Sequence, residues 1–149
     1  MSKAIAAMLF LWAGLLLGVA FVATPAKFLA PSLPMAQALD VGRWTFHVLA
    51  MVEWALVVLV ALLLAMAWQS GASRIGLIAL LLALAIALLA SESFLLRPLL
   101  DARVLRIIAG ESVPPSRAHQ LYIAIDALRL VLILAAGFAG LRRLAPIKA

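Results

Sequence analysis

Four long apolar runs dominate this sequence and restrict the folds that are open to it. A helix rises 1.5 Å per residue, so about 20 apolar residues cross a hydrocarbon core of roughly 30 Å. The runs cover residues 4–24, 45–68, 75–96 and 119–141. We therefore predict an all-α integral membrane protein. Its fold would be a four-helix transmembrane bundle, with residues 1–149 forming a single transmembrane domain.

The composition leads to the same class. The chain is 68% hydrophobic and 12% charged, and its mean hydropathy is +1.22. A soluble domain of this size cannot hide so much apolar side chain from water. The lipid bilayer is therefore the expected partner, and the expected location is the cell membrane, with several passes.

The charge and the cysteine count exclude other classes. A net charge of +6 would indicate nucleic acid in a soluble protein. Here the basic residues flank the apolar runs, where they anchor helices against anionic lipid head groups, so we expect no nucleic acid partner. The absence of cysteine excludes disulfides, thiolate metal sites and cysteine nucleophiles.

The segments between the runs indicate how the helices connect. Residues 31–34 contain two prolines and should break the first helix from the second. Residues 69–74 should form a tight polar turn. Arg97 and Pro98 should kink or end the third helix, and residues 99–110 should then form a short interfacial helix between spans three and four.

Charged residues bound the first apolar run and also bear on the orientation of the chain in the membrane. The apolar stretch after Lys3 exceeds the 7–15 residues that are usual in a secretory signal, so we predict a retained helix. An even number of spans places both termini on one side of the membrane. The bases on that side are Lys3, Arg74, Arg142, Arg143 and Lys148. The other side has a similar number of bases but also three acids, so we predict cytoplasmic termini.

Six ionisable side chains fall within the spans: His47, Glu53, Glu92, His119, Asp126 and Arg129. Such groups are costly in lipid and usually face the interior of the bundle. The helical rise places all six in one half of the bilayer, while the other half has no charge. The pattern predicts a polar pocket that opens on the face away from the termini, and it argues against a simple channel.

One stripe of the fourth span, at positions i, i+3, i+7 and i+10, carries His119, Tyr122, Asp126 and Arg129. Arg129 cannot deprotonate and needs a carboxylate partner. We predict an ion pair with Asp126, joined across the bundle by Glu53 or Glu92. Such pairs also hold helices in register without any ligand. Together with Glu53 and Glu92, the residues Tyr122, Asp126 and Arg129 of this stripe are predicted to form the pocket; as an aromatic residue, Tyr122 is expected near the membrane interface.

The two histidines support a hypothesis about a cofactor. His47 and His119 lie at matching depth on parallel helices, where they could ligate one haem iron or one metal ion. Met51, four residues after His47, would complete a copper(I) site. The cofactor would then be haem b or copper. Alternatively, each histidine is a polar tip that reaches the head groups.

Small residues are spaced for close helix packing. Gly14 and Gly18 on the first span, and Ala136 and Gly140 on the fourth, form small-xxx-small patterns. Such patterns serve packing either within the chain or between copies. A homo-oligomer or a larger membrane complex is therefore an open possibility for the partners.

The chain resembles a broad group of small four-helix membrane proteins. The resemblance rests on length, on the four spans, on the sequence of residues 21–28 that closes the first helix, and on a histidine that opens the last one. The group includes the copper-resistance D proteins, the HemJ-type protoporphyrinogen oxidases and the transmembrane-protein-205-like domain. The resemblance implies haem bound at histidines of the spanning helices, or copper handling.

Three classes of function stay open on this basis. The first is a haem- or metal-binding membrane protein that uses His47 and His119. The second is a small-molecule binding or transport protein that uses the pocket formed by Glu53, Asp126 and Arg129. The third is an accessory or assembly subunit whose polar residues lock the bundle. No arrangement typical of a hydrolase or a nucleotide enzyme is present, and enzymatic activity is otherwise undecided.

Overall fold

The computed structural model describes residues 2–69 and 75–142, and all regular structure in these two ranges is helical. Four helices are long and apolar enough to cross a membrane, which confirms the predicted all-α, four-helix architecture. They are α1 (Lys3–Leu29), α2 (Met35–Gln69), α3 (Gly76–Ile108) and α4 (Ala118–Arg142). The predicted polar turn lies outside the described residues apart from Gln69, as do Arg74, Arg143 and Lys148.

Helix α1 contains a π-helical stretch, Leu17–Ala23, directly before the Thr24–Ala26 turn that holds Pro25. A proline has no N–H to donate, and its ring clashes with the carbonyl four residues earlier. The wider π turn accommodates both effects, so the helix continues to a final 3-10 turn at Lys27–Leu29. It therefore ends five residues beyond the predicted span.

Helix α3 passes Pro98 in the same way. A π-helical stretch, Glu92–Leu96, precedes the Arg97–Ile108 segment, and the helix continues without interruption. The predicted helix at residues 99–110 is thus present, but as the last part of α3 rather than as a separate element. A proline normally kinks or ends a regular α-helix, and the sequence carries no signal for the π turn that lets α3 continue past Pro98.

The segments that connect α1 to α2 and α3 to α4 are determined by their local sequence. Residues 30–34 are non-helical, as the two prolines predict. At the end of α3, Gly110 adopts a positive φ of 80°, and the N–H of Glu111 bonds to the Arg106 carbonyl at 3.0 Å. This glycine-dependent C-cap satisfies carbonyls that the helix leaves free. Ser116 Oγ accepts the Ala118 N–H at 3.1 Å where α4 begins.

The four helices pack with α4 along α1 and α3, while α2 contacts α1 and the last part of α3. Helices α2 and α4 therefore lie diagonally across the bundle. The α1–α4 contact is close because its residues are small: a Cβ on Gly140 would lie 3.5 Å from the Ala6 Cβ. The small-residue pattern of the fourth span thus serves packing within the chain. Gly14 and Gly18 have no neighbouring atoms within 4 Å of an added Cβ.

The bundle buries few of its apolar side chains. Only 28–33% of each spanning window is buried, and large residues such as Leu62, Leu80 and Val131 point outward. Fully buried positions include Leu9, Leu16 and Ile133 along the central axis. The outer surface of the helices is therefore as apolar as the core.

Candidate functional site

A buried ionic cluster lies where the four helices meet. The Arg129 guanidinium on α4 bonds to Glu53 on α2 and to Glu92 on α3. It also pairs with Asp126, one turn earlier on α4, at 2.9 Å. The side chains of all four residues are at most 3% exposed. The ion pair predicted for Arg129 is confirmed, and both acids that the sequence offered as cross-helix partners take part.

The cluster extends to α1 through a residue that sequence reasoning missed. The indole Nε1 of Trp12 donates to Glu53 Oε1 at 2.9 Å, and Trp12 is completely buried. All four helices therefore contribute a side chain to this one network. A signal existed in the sequence: a tryptophan in the middle of an apolar run is far from the interface that it prefers, and its N–H needs a partner.

The position of Glu92 follows from the local structure of α3. Glu92 is the first residue of the π-helical stretch in α3. A π turn inserts an extra residue into the helix and so changes which side chains face the axis; such turns are frequent at functional sites. Glu92 is completely buried, and its Oε1 has no hydrogen-bond partner among the described residues.

A cavity of about 520 Å³ lies at the end of the bundle where residues 30–34 and 109–117 connect the helices. All four helices contribute to its wall. The apolar lining includes Phe21, Phe28, Leu39, Phe46, Leu100, Val104, Ile107 and Ile123. The polar lining consists of Thr24, Lys27, Arg43, Arg97, Asp101, Arg103, His119, Tyr122 and Asp126. Asp126 belongs to both the cavity wall and the ionic cluster, so the two are adjacent.

The histidines have separate surroundings. His47 Nε2 and Asp101 Oδ2, on α2 and α3, lie 2.6 Å apart, and the His47 side chain is 35% exposed. His119 is exposed at the cavity wall, and Met51 is 64% exposed. Residues 2–69 and 75–142 contain no group of three or more histidine, aspartate or glutamate side chains placed to hold a metal ion. A haem or metal site at the two histidines stays a prediction.

Tyr122 is a residue of the bundle interior. It is 5% exposed, lines the cavity, and packs edge-on against Phe46 at 5.2 Å between ring centroids. Tyr122 therefore faces the pocket, with which the sequence groups it, and not the head groups, where an interface aromatic was expected. The helix stripe that carries Tyr122 also carries Asp126 and Arg129. Because these two residues are buried in the ionic cluster, the whole stripe faces the bundle interior.

Sequence reasoning also missed several polar residues of the cavity wall, among them Thr24, Lys27 and Arg97. Thr24 and Lys27 lie at and just beyond the predicted end of the first span, and Arg97 lies at the predicted end of the third. The sequence contained a signal for these residues. Pro25 and Pro98 lie at the predicted ends of the first and third spans, and both ends are on the same face of the predicted bundle. The continuation of α1 and α3 past these prolines brings the three side chains to the cavity wall.

Comparisons with protein-family models, with curated proteins and with solved structures find no match to this chain.

Proposed function

We propose that this protein is an integral membrane protein that binds a small, largely apolar molecule in the cavity at one end of a four-helix transmembrane bundle. Binding could serve retention or transport of that molecule. The observation that carries the proposal is the cavity itself. A volume of about 520 Å³ falls in the range of about 300–1,000 Å³ that is typical of sites for small ligands.

Insertion in a membrane is supported by the outward apolar faces of the helices. In water, such a surface would cause aggregation, whereas in lipid it is the expected exterior. Helix α2 has 35 residues and is therefore about 52 Å long, which exceeds a hydrocarbon core of roughly 30 Å. The first turns of α2 and the Arg97–Ile108 part of α3 would then lie in the interfacial layer, where the cavity would open.

The architecture supports binding from one face. The ionic cluster lies directly next to the cavity through Asp126. Beyond it, the apolar remainder of the bundle has fully buried residues such as Ala136, and its described residues offer no polar path. A ligand would therefore enter and leave at the end with the two connections. The cluster itself would hold the four helices in place around the cavity floor.

The cavity accounts for more of the structure than the two-histidine site does. His47 already has a carboxylate partner in Asp101, and Met51 points to the outside. The two histidines also stand on diagonal helices. The cavity, by contrast, uses side chains from every helix. We therefore place the small-molecule proposal before haem or metal binding and before a purely accessory role.

Photo-crosslinking tests this proposal. The purified protein in lipid nanodiscs is irradiated with a long-chain alcohol that carries a diazirine, and mass spectrometry locates the adducts. We expect adducts concentrated on cavity residues such as Phe46 and Tyr122. Ile107→Trp should fill the cavity and reduce these adducts several-fold. Ile108→Trp is the matched control, because Ile108 is the next residue and is not part of the wall.

Two outcomes would contradict the proposal. Adducts spread evenly over the outward residues Leu62, Leu80 and Val131 would show that the probe only samples the lipid-facing surface. A Soret absorption band or stoichiometric copper in the purified protein would instead support the site at His47 and His119.

A further inference from the structure

The charges of the cavity wall are unbalanced, and this imbalance identifies the class of ligand if the proposed function holds. Four cationic side chains line the cavity: Lys27, Arg43, Arg97 and Arg103. Only Arg43 has a carboxylate partner, Asp40 at 2.8 Å. Within the described parts of the chain, the other three make no ion pair within 4 Å. Arg103 donates to the Pro114 carbonyl. Arg97 lies near the Tyr122 hydroxyl and, at longer range, the Asp126 carboxylate. The Lys27 ammonium lies 5.0 Å from the centroid of the Phe28 ring, so neither Lys27 nor Arg97 has a carboxylate of its own.

The two acids of the wall are both engaged elsewhere. Asp101 lies 2.6 Å from His47 Nε2, and Asp126 pairs with Arg129 at 2.9 Å. Among the described residues, Arg129 thus pairs with three carboxylates, whereas Lys27 has none within 4 Å and Arg97 has only the more distant Asp126, which is already paired. In a largely apolar surrounding, a cation without a counterion is costly. The arrangement is explained if a bound molecule supplies the missing negative charge.

Two hydrogen-bond donors at the same wall also have no partner. Arg97 Nε and Thr24 Oγ1 are buried, and neither is hydrogen-bonded to any described residue. The Lys27 ammonium occupies the space beside Gly42 on α2, where any Cβ would displace it. Buried donors are normally satisfied by protein, water or ligand. An anionic head group could bond to the guanidinium, the hydroxyl and the ammonium together.

The remainder of the wall is apolar. Phe21, Phe28, Phe46 and Ile107 offer a surface for a hydrocarbon or ring body. We propose that the ligand is a single-tailed amphipathic anion. Its carboxylate or phosphate would bind at Arg97, Thr24 and Lys27, and its apolar body would pack against these side chains. The cavity volume suits one small molecule rather than a whole two-chained phospholipid.

The test compares two photoreactive probes of equal chain length in phosphatidylcholine nanodiscs, one a fatty acid and the other the corresponding alcohol. We expect the fatty acid to label the cavity at about tenfold to a hundredfold lower concentration, the range expected for a charge-assisted contact. Arg97→Gln should abolish this preference, so that the fatty acid and the alcohol label the cavity at similar concentrations. Arg117→Gln is the control, because Arg117 is exposed and is not part of the wall.

A second variant examines the ammonium without removing a charge. Gly42→Ala should displace the Lys27 end group and weaken labelling by the fatty acid, while labelling by the alcohol reports that the cavity remains intact. Unchanged labelling by the fatty acid in both Arg97→Gln and Gly42→Ala would overturn the inference.

The other outcomes separate the inference from the proposed function. Equal labelling by the two probes in the unmodified protein would overturn the anionic ligand and leave a cavity for apolar molecules. Absence of cavity labelling by either probe would overturn the proposed function itself. If anionic phospholipid added to the nanodisc competes as well as free fatty acid, the anion belongs to a lipid head group, and the single-tailed ligand is wrong.

Discussion

At the scale of single residues, the structure is centred on Arg129. Three carboxylates from α2, α3 and α4 surround one guanidinium that is 1% exposed. Arginine suits this position because its planar group presents several donors and stays charged. Its removal would leave buried acids without a counterion, so each acid depends on this one side chain.

Replacement of Arg129 by leucine should destabilise the bundle by about 3–5 kcal/mol, the cost of breaking a buried ion pair by removal of one partner. The measurement is the melting temperature of the purified protein in detergent. Arg106→Leu is the matched control: its pair with Glu111 is about half exposed and should contribute about 0–1 kcal/mol. An unchanged melting temperature for Arg129→Leu would show that the cluster is dispensable.

Trp12 allows a finer test of the same network. Trp12→Phe keeps a large apolar ring but removes the Nε1–H that bonds to Glu53. Glu53 Oε1 keeps its bond to Arg129 in this variant. We therefore expect a loss of about 1.5–3 kcal/mol from the missing hydrogen bond to a charged group, together with a smaller packing term. Trp68→Phe serves as the control, because Trp68 is 70% exposed. Equal melting temperatures for the two variants would contradict a structural role for this hydrogen bond.

At the scale of helices, the sequence predicts the spans and the buried ion pair for a simple physical reason. Apolar length determines which segments can cross a bilayer, and a permanent cation such as Arg129 must find an acid. The course of α1 and α3 past Pro25 and Pro98 could not be predicted, because a π turn results from packing of the whole helix. Trp12 was missed because it is apolar by composition, and its polar atom matters only next to Glu53.

The sequence predicts a polar pocket on this face, but most of the residues of the cavity wall were beyond sequence reasoning for a related reason. Its wall combines the ends of four helices, and the sequence gives no measure of how far these ends separate. Lys27 and Arg97 resemble ordinary charged flanks of a span when each is considered alone. Only the packing places them at one wall, with Asp101 and Asp126 bound to other residues.

The contact between α1 and α4 gives a prediction at this scale. Gly140→Leu should push the helices apart, because even a Cβ would lie 3.5 Å from the Ala6 side chain and 3.9 Å from its Cα. We expect a loss of about 1–3 kcal/mol, as is usual for overpacking, measured by thermal unfolding. Gly14→Leu is the control on α1, where the added side chain meets open space and should gain helix propensity. A lower melting temperature for Gly14→Leu than for Gly140→Leu would contradict this packing.

At the scale of the whole molecule, the interior of the described bundle is polar towards one end and apolar towards the other. The cavity, the ionic cluster and the cations of the wall all lie towards the connections at residues 30–34 and 109–117. In the proposed membrane insertion, this asymmetry would give the molecule a direction. The face on which the cavity opens therefore decides from which compartment a ligand would enter.

Cysteine accessibility in intact cells tests both insertion and orientation. The chain has no native cysteine, so Lys3→Cys, Leu62→Cys and Ser116→Cys each introduce a single thiol. With cytoplasmic termini, a membrane-impermeant maleimide should label Ser116→Cys from outside and Lys3→Cys only after permeabilisation. Leu62→Cys should stay unlabelled, because an outward side chain in the middle of α2 would face hydrocarbon. The reverse pattern for the first two would place the cavity on the cytoplasmic side, whereas strong labelling of Leu62→Cys would contradict insertion altogether.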